Sequence, residues 1–143
     1  MSAEKIDRKI SVIFATDVVD YSLHMEKDES GTVTSLRTYE KILKESFRKH
    51  GGRLFNTGGD SFLAEFSSAV KAVECAIDFQ NIVKEKKINP SLSFRIGINA
   101  GDVILQKKNL LGDGVNVAAR LEQLSQPNGI TISKSIYDYI EVN

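Results

Sequence analysis

The chain has 143 residues, 41% hydrophobic and 27% charged, with 19 basic and 19 acidic residues in balance. This fits one soluble globular domain spanning residues 1–143, and the zero net charge gives no broad electropositive field for a nucleic-acid polymer. No apolar run approaches the roughly 20 residues of a membrane span. The single cysteine, Cys75, leaves neither a disulfide framework nor a cysteine-based zinc site.

The N-terminal stretch MSAEKIDRK lacks the apolar core of a secretory leader. The lone cysteine suits a reducing cytoplasm, where it is expected as a small core residue. The first strand is read at Ile10, Val12 and Phe14, alternating with Ser11, Ile13 and Ala15. It runs into Thr16-Asp17-Val18-Val19-Asp20-Tyr21-Ser22. Asp28-Glu29-Ser30 offers caps for a helix carrying Val33, Leu36, Tyr39, Ile42, Leu43 and Phe47. Gly51 and Gly52 are its expected stop.

Leu54 to Phe66 then reads as a β-hairpin around Thr57-Gly58-Gly59-Asp60, because glycines supply the positive φ that tight turns need. Ser67 or Ser68 caps a second helix, with Ala69, Ala72, Ala76, Phe79 and Val83 on one face. Lys84 to Lys87 forms its solvated tail, and Asn89-Pro90 ends it. Leu92, Phe94, Ile96 and Ile98 mark the clearest strand, with Gly101-Asp102 a candidate break before Val103 to Leu105. Gln106 to Asn109 reads as a loop. A third helix starts from Gly114, with Val117, Leu121 and Leu124 on the expected buried side. After a turn at Pro127-Asn128-Gly129 come a short strand at Ile130 and Ile132 and a last helix over Lys134 to Ile140. The first six elements follow the split βαβ order, so the expected fold is α+β. It is a ferredoxin-like βαββαβ antiparallel sheet with helices on one face, plus a C-terminal αβα extension.

Two features carry chemistry. Asp17 and Asp60 both stand at strand ends, and two neighbouring carboxylates can hold one or two divalent cations. Asn116 and Arg120 are four apart in the third helix, hence on one face, and their donors suit phosphate and ribose oxygens. Each feature alone has an ordinary reading, a turn-forming Asp and a solvated helical Arg.

Taken together, the segments FATDVVDYS, GGRLFNTGGDSFLAEF, FRIGINAGDV and GDGVNVAARLEQLSQPNGITIS resemble the catalytic domain of bacterial class III nucleotidyl cyclases. The resemblance runs from about Ile10 to about Ile140. It implies conversion of a nucleoside triphosphate, ATP or GTP, to its 3′,5′-cyclic monophosphate in cyclic-nucleotide signalling. It implies two Mg²⁺ or Mn²⁺ ions per site, held by Asp17 and Asp60 with help from the Val18 carbonyl. The amides around Tyr21 and Ser22 would cradle the triphosphate, Asn116 would position the ribose, and Arg120 would offset charge at the α-phosphate. It further implies a homodimer with shared sites, the aspartates from one subunit and the Asn–Arg pair from the other.

The chain departs from the family pattern in places. The two positions that read the purine, Lys and Asp in adenylyl cyclases, are Asn56 and Asn109 here. They are expected to face the base from opposite subunits, with weak discrimination. Asp20 stands where glycine is usual, and family members continue beyond the position of Asn143, so the domain reads as truncated. Two other readings remain open. One is a cyclase-like module that binds nucleotide or protein without catalysis. The other is a diguanylate cyclase, suggested by Gly58-Gly59-Asp60-Ser61-Phe62, although Ser61 stands where that family has Glu.

Overall fold

A computed structural model describes residues 6–141; residues 1–5 of the N-terminal stretch and 142–143 lie outside the described ones. The elements in chain order are β1 (Asp7–Val18), α1 (Tyr21–Lys27), α2 (Glu29–His50), β2 (Arg53–Gly58), β3 (Ser61–Phe66) and α3 (Ala69–Glu85). They continue with β4 (Phe94–Gln106), β5 (Asn109–Leu111), α4 (Asp113–Leu124), β6 (Ile130–Ile132) and α5 (Lys134–Glu141). The sheet order is β2-β3-β1-β4-β5, with β6 added in parallel to β4. The pairings β2–β3, β3–β1, β1–β4 and β4–β5 are all antiparallel, as the ferredoxin-like reading requires. No helix among the described residues is long and apolar enough to cross a membrane.

The caps act where the sequence put them. The Asp28 side chain accepts from Gly31 N at 3.0 Å to start α2, and Gly51 ends it in the left-handed region at φ 77°. Ser68 Oγ accepts from Lys71 N at 3.2 Å to start α3. In the β2–β3 hairpin, Gly59 takes φ 62° at the first central position, which a residue with a Cβ would resist.

β1 is the central strand and is covered on both faces. On one face Val12 and Phe14 join the larger core with α2, α3 and Ile136 of α5. Phe14 meets Phe47 edge-on at 5.1 Å, and Phe79 meets Phe94 likewise at 5.1 Å. On the other face Ile13 and Ala15 pack with Val103, Leu110, Val115 and Ala118, a smaller core beneath α4. Two-sided cover explains why residues 11–18 are all buried while Ile10, which leads the expected alternation, is 68% exposed.

Three expectations are corrected. Gly101-Asp102 does not break the strand: β4 runs on through Ser11↔Gly101 and Ile10↔Asp102, held by the full length of β1. The segment from Gln106 to Asn109 is a tight turn rather than a loop, with Lys107 at φ 58° and Asn109 already paired in β5. The buried side of α4 is Gly114, Val115, Ala118 and Glu122, whereas Leu124 is 76% exposed and Val117 and Leu121 are half-buried. The helix turns its small residues to the sheet because it lies almost on the backbone. A Cβ added at Gly97 would stand 2.3 Å from Glu122 N and 2.5 Å from Ala118 O. Gly97→Ala is therefore expected to lower stability by about 2 kcal/mol or more, since backbone must shift to admit the methyl group. Urea unfolding checks this; an unchanged midpoint would mean that α4 has room to move away.

Candidate active site

Asp17 lies one residue from the end of β1, opposite Arg95 of β4 in the antiparallel register. Its side chain is nearly buried and held from two directions. Arg95 donates through Nε to Oδ1 at 3.1 Å and through Nη2 to Oδ2 at 2.8 Å. Gln123 of α4 donates through Nε2 to Oδ2 at 3.1 Å and also contacts Glu122 Oε2. The hydrogen bond to Asp17 holds the Arg95 guanidinium above its ordinary pKa. Buried Glu122 is pushed up to about 7, first by loss of water and then by the charge on Asp17.

Asp60 is carried to the same end of the sheet by the hairpin turn. Its Oδ2 accepts from Val18 N at 3.2 Å. Its pKa is raised, chiefly by burial; the Val18 amide opposes the rise and the Asp17 charge adds to it. Asp17 and Asp60 thus lie close enough for the charge of one to act on the other, a repulsion that a divalent cation would relieve. Among the described residues no three acidic, histidine or cysteine side chains gather as a metal cluster.

The turn after β1 leads directly into α1. Asp20 adopts φ 54°, ψ 39°, the left-handed conformation that glycine enters most easily and that Asp tolerates better than most residues. Tyr21 is half-buried against the larger core and Ser22 is exposed.

Asn116 and Arg120 share the outer face of α4, as their spacing requires. Arg120 is 71% exposed in its side chain, Nε reaches Asn116 O at 3.5 Å, and Nη2 is 4.0 Å from Asp113. No contact joins either residue to Asp17 or Asp60 among the described residues. The chain therefore presents the carboxylates and the Asn–Arg pair as two separate groups.

Asn56 and Asn109 correct the expectation that they face a base from opposite subunits: they meet within one chain, Asn56 Nδ2 donating to Asn109 Oδ1 at 3.5 Å. β2 and β5 are the two ends of the strand order, yet the sheet curls over the smaller core. Phe55 and Leu63 from one edge and Leu105 and Leu110 from the other pack against it. Arg53 Nη1 then reaches Lys108 O at 2.9 Å and ties the two edges together.

Arg95, Glu122 and Gln123 are the residues of this site that the sequence reading missed. Arg95 reads as one more polar residue on an alternating strand, and only the β1–β4 register places it on Asp17. A cavity of about 750 Å³ lies at the other end of β1, lined by Lys9, Ser11, Arg53 and Tyr139, and includes none of the site residues. Cavity volume alone therefore does not mark this site.

The profile of the "Adenylate and Guanylate cyclase catalytic domain" family matches residues 1–143. A Rhizobium meliloti (strain 1021) protein named "Putative adenylate cyclase 3" is 41% identical over 98% of the chain, which covers 25% of that protein. The chain spans a quarter to a third of the length of the first curated relatives it matches. Among solved structures, an adenylate/guanylate cyclase/hydrolase from Silicibacter pomeroyi is 31% identical with TM-score 0.86, over 96% of this chain and 83% of that one. The guanylate cyclase domain of RhGC from Catenaria anguillulae, in complex with GTP, is 27% identical with TM-score 0.84, over 94% and 84%. The family uses divalent metal ions. A match over the whole chain also outweighs the five-residue diguanylate resemblance. With four motifs, the sheet order and the paired carboxylates in agreement, the chain belongs to the adenylate and guanylate cyclase catalytic domain family.

Proposed function

We propose that this domain converts a purine nucleoside triphosphate, ATP before GTP, to its 3′,5′-cyclic monophosphate and pyrophosphate. The observation that carries this is the division of the chain into two half-sites. Asp17 and Asp60 are gathered at one end of the sheet, and Asn116 with Arg120 stand exposed on α4, with no partner anion closer than 4.0 Å among the described residues. A second copy of the chain, docked across a two-fold axis, would bring the Asn–Arg pair of one subunit to the carboxylates of the other.

The donor set fits two Mg²⁺ or Mn²⁺ ions, since Asp17, Asp60 and the Val18 carbonyl offer hard oxygens and leave other positions to water and phosphate. When bound, these ions supply Lewis-acid activation of the ribose 3′-hydroxyl and neutralise charge at the α-phosphate. The chain's own groups do the rest. Asn116 orients the ribose, Arg120 offsets charge that grows on the α-phosphate oxygens, and the amides at Tyr21 and Ser22 face the outer phosphates. A reducing cytoplasm is the setting that suits buried, unpaired Cys75.

Asn56 and Asn109 would then contact the base from one subunit, as a pair already hydrogen-bonded to each other. An amide both donates and accepts, so two amides can turn to match either adenine or guanine. ATP is accordingly expected to be preferred over GTP by less than about tenfold, because strong rejection needs a fixed donor or acceptor left unpaired by the wrong base. Asn56→Lys with Asn109→Asp is expected to raise both rate and ATP preference. Incubation with ATP or GTP and Mn²⁺, followed by quantification of cyclic product, tests the activity. The ratio of the two kcat/KM values in parent and double variant tests the base contact. Absence of cyclic product from either nucleotide, with a folded dimeric protein, would overturn the reading.

A further inference from the structure

Asn56 and Asn109 owe their meeting to two features outside themselves. The first is a β-bulge in β2. In a regular strand Asn56 would stand on the same face as Leu54, two residues before it. Leu54 is opposite Ala64 and packs on the larger core. The pairing then slips, and Asn56 stands opposite Leu63, which packs on the smaller core. Phe55 is the extra residue, and it too lies against the smaller core. Residues directly opposite each other share a face, so the bulge swings Asn56 onto the side of Phe55, Arg53 and Glu65.

The second feature is Arg53. Two hydrogen bonds join β2 to the β4–β5 turn among the described residues. The one between the asparagines is 3.5 Å long, at the outer limit, and holds little by itself. The other, from Arg53 Nη1 to Lys108 O, is 2.9 Å. Lys108 immediately precedes Asn109, in a tight turn with Lys107 at φ 58°. The guanidinium is itself held: Nε donates to Glu65 Oε1 at 2.7 Å, and the group lies 5.9 Å from the centroid of the Phe55 ring. Glu65 is anchored in turn to β1, through Lys9 Nζ at 3.1 Å and Ser11 Oγ at 3.2 Å. A planar fork thus ties β1, β3 and β2 to the carbonyl next to Asn109.

We propose that Arg53 is a positioning residue for base recognition, clamping the β4–β5 turn so that Asn109 stays across from Asn56. The inference rests on the reading of these two asparagines as the groups that contact the purine. Arg53 acts through Asn109 and not on the base, because a turn that is already fixed loses less freedom when a base docks. Lysine at this position keeps a cation for Glu65 but lacks the planar fork that serves Glu65 and Lys108 O at once. Glutamine removes the charge as well. Glu65 keeps Lys9 and Ser11 in both variants, so neither strands a carboxylate.

Equilibrium binding of 3′-deoxy ribonucleoside triphosphates with Mn²⁺ tests this without turnover, because the attacking hydroxyl is absent. Three bases are compared: adenine, guanine and benzimidazole, whose ring carries no polar atom where a purine has N1 and its 6-substituent. The proteins are the parent, Arg53→Lys, Arg53→Gln, Asn56→Ala and Asn109→Ala, with thermal unfolding recorded for each. The parent is expected to hold adenine and guanine more tightly than benzimidazole. Both Arg53 variants are expected to weaken adenine and guanine by about three- to tenfold, the worth of a hydrogen bond, and to leave benzimidazole within about twofold. A merely structural Arg53 would lower the unfolding temperature and weaken all three ligands together, which overturns the positioning role. An unchanged purine advantage in both Arg53 variants, with that advantage lost in Asn56→Ala or Asn109→Ala, also overturns it and keeps the base reading. A purine advantage that survives both asparagine variants, or a parent with no such advantage or no binding, overturns the base reading and the role of Arg53 with it.

Discussion

Asp17→Asn and Asp60→Asn are each expected to cut formation of cyclic nucleotide by about three orders of magnitude or more. Stabilisation of transition-state charge by a held cation is worth several kcal/mol, and each 1.4 kcal/mol is a factor of ten. Asparagine is the better replacement at position 17. Asp17 is nearly buried and bidentate with Arg95, so alanine would leave a guanidinium with little solvent and without the carboxylate it is bonded to, which costs stability on its own. Asparagine keeps the shape and one acceptor while removing the charge that a cation needs. Asp60 is half-buried at a turn, and its replacement disturbs the hydrogen bonds that its side chain accepts from Val18 N and from its own amide. Turnover measured with saturating Mn²⁺ decides the matter. Near-parental rates in either variant would mean that the two carboxylates do not carry the metal chemistry.

The second expectation concerns two inactive proteins. Asp60→Asn and Arg120→Ala, each silent alone, should recover activity when mixed and allowed to exchange subunits. In the proposed two-fold dimer each site would take Asp60 from one subunit and Arg120 from the other. A mixed dimer therefore holds one site with both groups intact and one with neither. With equal amounts and free exchange about half of the dimers are mixed, so about a quarter of parental activity is expected. Arg120→Ala should leave stability nearly unchanged, because the side chain is solvated and its nearest acid is 4.0 Å away. The measurement is activity against mixing ratio, with exchange followed by a tag on one partner. Exchange without recovery would place the whole site within a single chain.

Much of the scaffold follows from local chemistry. The glycine at position 59 takes the positive φ of the hairpin turn, and Asp28, Ser68 and Gly51 bound their helices as their side chains or lack of one dictate. The βαββαβ order leads to the observed strand order through short connections. Asp17 and Asp60 come together because the last residues of β1 and the β2–β3 hairpin turn lie at the same end of the sheet, and Asn116 and Arg120 share a face because a helix has 3.6 residues per turn.

What depends on tertiary packing could not be read so. The face of α4 is set by Gly97, Gly114 and Ala118, which let helix and sheet backbones approach, and not by its larger apolar residues Val117, Leu121 and Leu124. The meeting of Asn56 with Asn109 depends on the curl of the whole sheet over the smaller core. The grip on Asp17 joins residues 78 and 106 positions away in sequence. Periodicity reports which residues of one element share a side. It carries no information on which side of a distant element will be pressed against them, and the environment of Asp17 is made of those distant contacts.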